Sequence, residues 1–384
     1  MTPSRLAVAA VFLAGIGART HLIIVGPVLP EMTVELGISH AVAGLLITLP
    51  VSLMAAVAIP SAGLGHRFGS RRVMAVSLAL LAAAGTARPI GNDALWVLGW
   101  TVPIGIGIGV IGVILPIFVK QHAGEMPARA TGLYVTAMLV GSALGGVLAA
   151  PLAEWGGSWR VPLLVFGFAG AIPVIGWIML TKPDHVEPAD RPERPPLPWR
   201  SPVAWLLVTA FALQAFLFYG IVAWLAPVMV EAGRSPIEAG TIVGVLLIAG
   251  IPGTLLVSWL GDRFPSRRVG LVTTSVASLV AIAGYTWLPD LALVWSVVGG
   301  LGLAAIFALV MTLPLDAARH PSEAGGYTAL MLGAGYLIAS IAPSLLGAAR
   351  DLTGNFTLTM LLLVATATVM LALSLALSPS RLRS

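Results

Sequence analysis

One arginine, Arg19, stands inside an apolar stretch that runs from Leu6 to Val28. At 1.5 Å per helical residue it lies roughly 20 Å from one end and 13 Å from the other. A guanidinium offers a planar fork of donors that holds an oxyanion in two parallel hydrogen bonds. A charge so deep in an apolar segment is costly and by default faces a polar cavity. His21 offers different chemistry, since an imidazole titrates near neutrality and can relay a proton. Two helical residues rotate a side chain by about 200°, so Arg19 and His21 do not share a face. Each also has a structural reading: an arginine satisfied by carbonyls, and a histidine hydrogen-bonded in packing.

The other candidates are neutral: Tyr134, Gln214, Phe218, Tyr219, Trp224 and Tyr336. Gln214 and Phe218 are one helical turn apart on a common face and Tyr219 borders it, a grouping suited to a small planar solute. Aromatic packing is the alternative for each. No Asp or Glu stands at the depth of Arg19 in any apolar stretch, and the six histidines are scattered. With zero cysteines there is neither a disulfide framework nor a thiolate metal site. No cofactor or metal is expected. The absence of a carboxylate or histidine cluster argues against a membrane enzyme, and the absence of a phosphate-binding glycine loop argues against ATP-driven transport by this chain alone.

The segments that must position these residues are membrane spans. Apolar residues make up 58% of the 384 positions and charged residues 10%, against roughly a quarter charged in soluble domains. A helix needs about 20 mostly apolar residues to cross the hydrocarbon layer, and twelve such runs occur, the first Leu6 to Val28, the seventh Val203 to Val228 and the last Thr357 to Leu377. The first is too long for a signal peptide's apolar region. Arg88 and Lys120 fall at run ends, where snorkelling makes them anchors or vestibule charges. Gly105 with Gly109, and Gly141 with Gly145, have the spacing that lets helices approach closely. Pro27, Pro116, Pro151, Pro227 and Pro343 mark expected kinks.

The one long polar stretch, Thr181 to Ser201, holds six prolines and divides the chain into a first half (1–181), a linker (182–201) and a second half (202–384). Twelve spans put both termini on one side, and the loops of that side carry 16 of the 21 Lys and Arg residues, which places them in the cytoplasm. That clustering also accounts for the net charge of +5 without any nucleic-acid partner.

The halves repeat. His66-Arg67-Phe68-Gly69-Ser70-Arg71-Arg72 returns as Asp262-Arg263-Phe264-Pro265-Ser266-Arg267-Arg268, an offset of 196 residues (262 − 66). The same offset carries Gly37, Ser39, Ala43 and Gly44 onto Gly233, Ser235, Ala239 and Gly240. An even number of spans per half makes this a parallel repeat, so the expected fold is an all-α integral membrane protein of two pseudo-symmetric six-helix bundles.

The repeated loop resembles the signature of the major facilitator superfamily, roughly G-x-L-x-D-R-x-G-x-R-R. Leu64, Arg67, Gly69, Arg71 and Arg72 match, while Ala62 and His66 replace its Gly and Asp. In the second copy Leu260, Asp262, Arg263, Arg267 and Arg268 match. The resemblance implies that Arg67, Gly69, Arg71, Asp262, Arg263 and Arg267 form a conformational latch; the alternative is a purely topological role for these charges. Arg19 with Gly26, Pro27 and Pro30, then Arg88, Pro116, Ala130 to Tyr134, Pro151, Trp159 and Arg160 are similar to the cyanate and nitroimidazole transporter branch. Gln214, Phe218, Tyr219, Trp224, Tyr336, Pro343, Asp351 and Gly354 continue that likeness.

The implied protein is a monomeric secondary transporter of a bacterial inner membrane. It moves a small anionic or weakly acidic solute by alternating access. Its expected partners are that solute and the bilayer, with a coupling proton as a further candidate. The rival is a proton-coupled exporter of drugs or small neutral compounds, whose Gly-Pro motif on the fifth span is only half present at Ala150-Pro151.

The topology is directly testable in a chain with no native cysteine. Single cysteines replacing Ser70, Ser201 or Ser380 are expected to react only with reagents that reach the cytoplasm. Labelling of any of them from outside intact cells would overturn the assignment.

Overall fold

The computed structural model describes residues 3–122, 127–182, 197–261, 267–318 and 320–377. Among the described residues there are α-helices and two short 3-10 turns, with no strand. The first span consists of α1 (Pro3–Ile23) and α2 (Val25–Leu36), and the second is α3 (His40–Phe68). α4 (Ser70–Ala87) runs into a 3-10 turn at Arg88–Ile90, followed by α5 (Ala94–His122) and α6 (Pro127–Gly156). The sixth span is α7 (Arg160–Ala169) with α8 (Ala171–Leu180).

The later spans are α9 (Pro202–Glu231), α10 (Pro236–Gly261), α11 (Arg267–Trp287) and α12 (Ala292–Ala317). α13 (Pro321–Ala339) and α14 (Ala342–Thr353) share the eleventh span, and α15 (Thr357–Ala376) closes the series. Twelve stretches among the described residues are long and apolar enough to cross a membrane. The chain is an all-α membrane protein.

The first of these stretches extends to Leu36, past the expected end at Val28, and its helix is interrupted at Ile24. Proline explains the interruption. Pro27 has no N–H, so the carbonyl of Ile23 loses its partner one turn ahead. The other breaks have the same cause: Gly170 precedes Pro173, and Ile341 precedes Pro343. By contrast α5, α6 and α9 continue as single helices through Pro116, Pro151 and Pro227.

By contact the chain divides into two compact units, one of Met1–Ile38 with Leu45–Pro192, the other of Ser39–Gly44 with Glu193–Ser384. Within the first, α1 packs on α6 and α8, and α4 on α5 and α7. Small residues set these distances: a Cβ added to Gly141 would lie 2.1 Å from the Ile16 carbonyl oxygen, and one on Gly105 2.6 Å from Pro50 Cα. Within the second, α12 packs on α10 and α11, α9 on α13, and α11 on α15.

Candidate functional site

In the first unit the residues around Arg19 are fixed from two sides. The Thr20 hydroxyl donates to the carbonyls of Ile16 (2.8 Å) and Gly141 (3.1 Å), which ties α1 to α6. His21 is 2% exposed, and its ring occupies the space beside Gly85, where an added Cβ would sit 2.4 Å from His21 Cε1. The ring therefore packs into α4. Arg19 is half-buried, although its neighbours Ala18 and Thr20 are buried.

Arg88 departs from expectation. Its place at a span end read as snorkelling toward water, yet it is 1% exposed, and its Nη2 donates to the carbonyl of His21 at 3.2 Å. The break after Ile23 is the reason. The amide of Ile24 bonds back to the Thr20 carbonyl and α2 begins anew at Val25, so the His21 carbonyl is free to accept from a side chain. The Nε of Arg88 is buried without a hydrogen-bond partner among the described residues.

In the second unit Gln214 is 2% exposed on α9. Its Nε2 donates to the Leu303 carbonyl of α12 at 3.4 Å, while its Oε1 is buried with no partner among the described residues. Aromatic rings surround that stretch. Phe218 meets Tyr219 edge-on with centroids 5.3 Å apart, and Tyr219 lies 6.3 Å from Tyr336. Tyr336 meets Phe211 edge-on at 4.8 Å, and Phe211 lies 6.2 Å from Phe307. Phe211 and Phe307 escaped the sequence reading. Phe211, Gln214 and Phe218 follow a helical i, i+3, i+7 spacing, a signal that was available for the first of them.

Trp224 is separate. Ten residues beyond Gln214 along α9, it is about 15 Å away at 1.5 Å per residue. Its Nε1 donates to the Pro343 carbonyl at 2.8 Å, at the break between α13 and α14. Its ring lies 5.8 Å from His40 and 5.6 Å from Phe356. At the same place Asp351 accepts from the amides of His40 (3.0 Å) and Ala41 (2.8 Å), and lies 2.8 Å from His40 Nδ1. A carboxylate here caps the first turn of α3. The side chains of Tyr134 and Lys120 lie outside the described ones.

The repeated basic loops make contacts within each unit. Gly69, at φ 85°, precedes α4, a backbone conformation that glycine adopts without strain. Arg71 donates from Nε to the Thr181 carbonyl (2.9 Å) and from Nη2 to that of Ile178 (2.8 Å), bringing a cation to the negative end of α8. In the second copy Arg268 donates to the Leu375 carbonyl at 2.6 Å, and Arg267 pairs with Asp316. Arg67 is exposed. Asp262 and Arg263 lie outside the described residues.

The repeat also holds a pair that sequence reasoning missed. Glu35, at the end of α2, pairs with Arg160 and accepts from Trp159 Nε1 at 2.7 Å. Glu231, at the end of α9 and at the same 196-residue offset (231 − 35), pairs with Arg350 at 3.2 Å and accepts from the amide of Phe356 at 2.9 Å.

Comparison with known proteins agrees with this architecture. The family model described as Major Facilitator Superfamily matches residues 8–343. The cyanate transport protein CynX of Escherichia coli K12 is 29% identical over 347 residues, 90% of each chain. A 2-nitroimidazole transporter of the same organism is 28% identical over 338 residues, 87% of this chain and 86% of that one. A bacterial homolog of the human lysosomal transporter Spinster, solved in an inward-facing and unoccupied conformation, superposes with a TM-score of 0.80 at 16% identity, covering 100% of this chain and 98% of the other.

The separation of Trp224 from the Gln214 group has a measurable consequence. Trp224→Phe deletes one buried hydrogen bond, so it should lower the stability of the purified protein by about 1 kcal/mol and leave ligand affinity unchanged. A loss of affinity at unchanged stability would return Trp224 to the binding group.

Proposed function

The chain belongs to the Major Facilitator Superfamily, and from that premise we propose that it moves a small, planar, anionic or weakly acidic solute across a bacterial inner membrane by alternating access. The observation that carries the proposal is Arg19. It is a half-buried guanidinium 13 residues from the start and 17 from the end of the Leu6–Leu36 span, immediately before two residues pinned to α6 and α4. Mid-membrane cations are expensive and usually serve substrates or ions. The full-length likeness to a cyanate transport protein supports the anion reading.

Each unit carries candidate residues in this proposal. In the first, Arg19 holds the charged edge of the solute through its paired donors. In the second, Gln214 contributes an amide, and Phe218, Tyr219 and Tyr336 contribute ring faces and edges. The buried, unpartnered Oε1 of Gln214 favours a solute with an N–H or O–H donor, because a lone buried acceptor costs about 1–3 kcal/mol until it is met. His21, packed on Gly85, is assigned packing rather than proton relay. The chain acts as a monomer with its termini and linker cytoplasmic, following the bias of its basic loops.

A second reading, export of a neutral planar compound, is favoured by the likeness to a 2-nitroimidazole transporter. That ring carries the kind of N–H donor the Gln214 oxygen lacks. The two readings differ at Arg19, which matters little to a neutral solute.

The test is affinity for a matched charged and neutral pair, benzoate and benzamide, in the parent, Arg19→Lys and Arg19→Ala proteins. Arg19→Lys keeps the charge but loses the fork, so benzoate should bind more weakly, and Arg19→Ala more weakly still, while benzamide changes less. Gln214→Ala should weaken benzamide, whose N–H can meet the Gln214 oxygen, about tenfold, the effect of one buried hydrogen bond, and benzoate, which has no donor, less. Equal benzoate affinity in all three Arg19 proteins would make Arg19 structural and leave the anion reading without its main support.

A further inference from the structure

We propose that Arg88, which touches no solute, sets the preference for anions by its charge, acting as a buried source of positive potential behind Arg19. The inference rests on the reading of Arg19 given above. Arg88 is 1% exposed, its Nη2 donates to the His21 carbonyl at 3.2 Å, and its Nε has no hydrogen-bond partner among the described residues. Among the described residues no carboxylate pairs with it.

Burying a cation without a partner costs several kcal/mol, so the fold must offset it. It does so with dipoles. Arg88 is the C-cap of α4, at that helix's negative end, and it takes the carbonyl released where α1 breaks. Dipoles reduce the cost but leave the net charge in place. A counter-charge is still missing, and in surroundings that exclude water the field of Arg88 is little screened by salt.

That field falls on Arg19. The acceptor belongs to His21, two residues from Arg19, a rise of about 3 Å along α1. Crossing the helix puts the Arg88 guanidinium on the order of 10 Å from position 19. At an effective dielectric near 20, a unit charge at that distance changes the equilibrium of another charge by roughly tenfold. Arg19 would then supply the directed hydrogen bonds, and Arg88 the potential that favours an anion over a neutral molecule of the same shape. The break in the first span connects the two, because the carbonyl it releases from the helix ladder is the one Arg88 takes.

The potential can be read without knowing the solute, because the chain has no cysteine of its own. In an Arg19→Cys protein the introduced thiol is the sole site for a neutral alkylating reagent such as iodoacetamide, and its rate follows the thiolate fraction. Adding Arg88→Gln, which removes the charge and keeps a donor for the His21 carbonyl, should raise the pH midpoint of alkylation by about one unit. Arg88→Lys should leave it near the Arg19→Cys value.

A midpoint that is the same with Gln and with Arg at position 88 would overturn the inference and leave the Arg19 reading intact. Failure of the thiol to react at any pH would remove position 19 from any solute path and overturn that reading itself. If Arg88→Gln does not fold, Arg88→Met in the Arg19→Cys protein takes its place: a midpoint raised by about one unit supports the inference, and an unchanged midpoint sinks it.

Discussion

In a hydrocarbon layer every backbone polar group must find its partner within the protein, and a span whose helix is interrupted has groups left over. The first span is interrupted at Ile24, three residues before Pro27, and the carbonyl of His21 is taken by the guanidinium of Arg88. Each side of this bond answers a need of the other. The carbonyl gains a donor, and a buried cation gains an acceptor. The bond holds α4 to α1 just beyond Arg19, while Thr20 holds α6 to the same turn through the Gly141 carbonyl. Arg19 thus directly precedes two residues fixed to neighbouring helices, which anchors the turn that carries it.

The second unit shows what the repeat keeps and what it changes. Glu35 and Glu231 end corresponding spans and each gathers an arginine, but the arginines come from different places, Arg160 at the start of α7 and Arg350 near the end of α14. Arg71 caps the end of α8 in one copy, and in the other the same task falls to Arg268, one residue later than the repeat would place it. The constraint retained is chemical, a carboxylate or a guanidinium at a helix end, and the residue that meets it shifts with local geometry. The chemistry-bearing positions diverge further. The first unit carries a guanidinium on α1, and the second an amide with aromatic rings on α9.

Much of the fold was legible because its signals are local. Twelve apolar runs and one fixed offset needed no tertiary information, and extending that offset by a few residues would have reached Glu35 and Glu231. Residues whose roles depend on distant partners were not legible. Arg88 has the same sequence surroundings whether its side chain reaches out to water or turns into a helix break 67 residues away. Nothing in the sequence around Trp224, one of the neutral candidates, indicates that its indole donates to the Pro343 carbonyl, 119 residues on. His21 could be placed opposite Arg19 by helical geometry, but the glycine that admits its ring, Gly85, lies on another span. The end of the first span was misjudged because Pro30 and Glu31 break its apolar pattern, although the helix itself continues to Leu36.

The central claim is that the resting protein is electrically prepared for an anion. It is tested most directly on the unaltered protein, purified in detergent, by thermal unfolding with small planar anions such as cyanate, nitrate and benzoate, each beside a neutral molecule of similar shape. A ligand that binds the native state raises its melting temperature in proportion to how far its concentration exceeds Kd, on a logarithmic scale. The account predicts that at least one anion stabilises the protein and that its neutral counterpart does so markedly less. Stabilisation by the neutral members alone would contradict it.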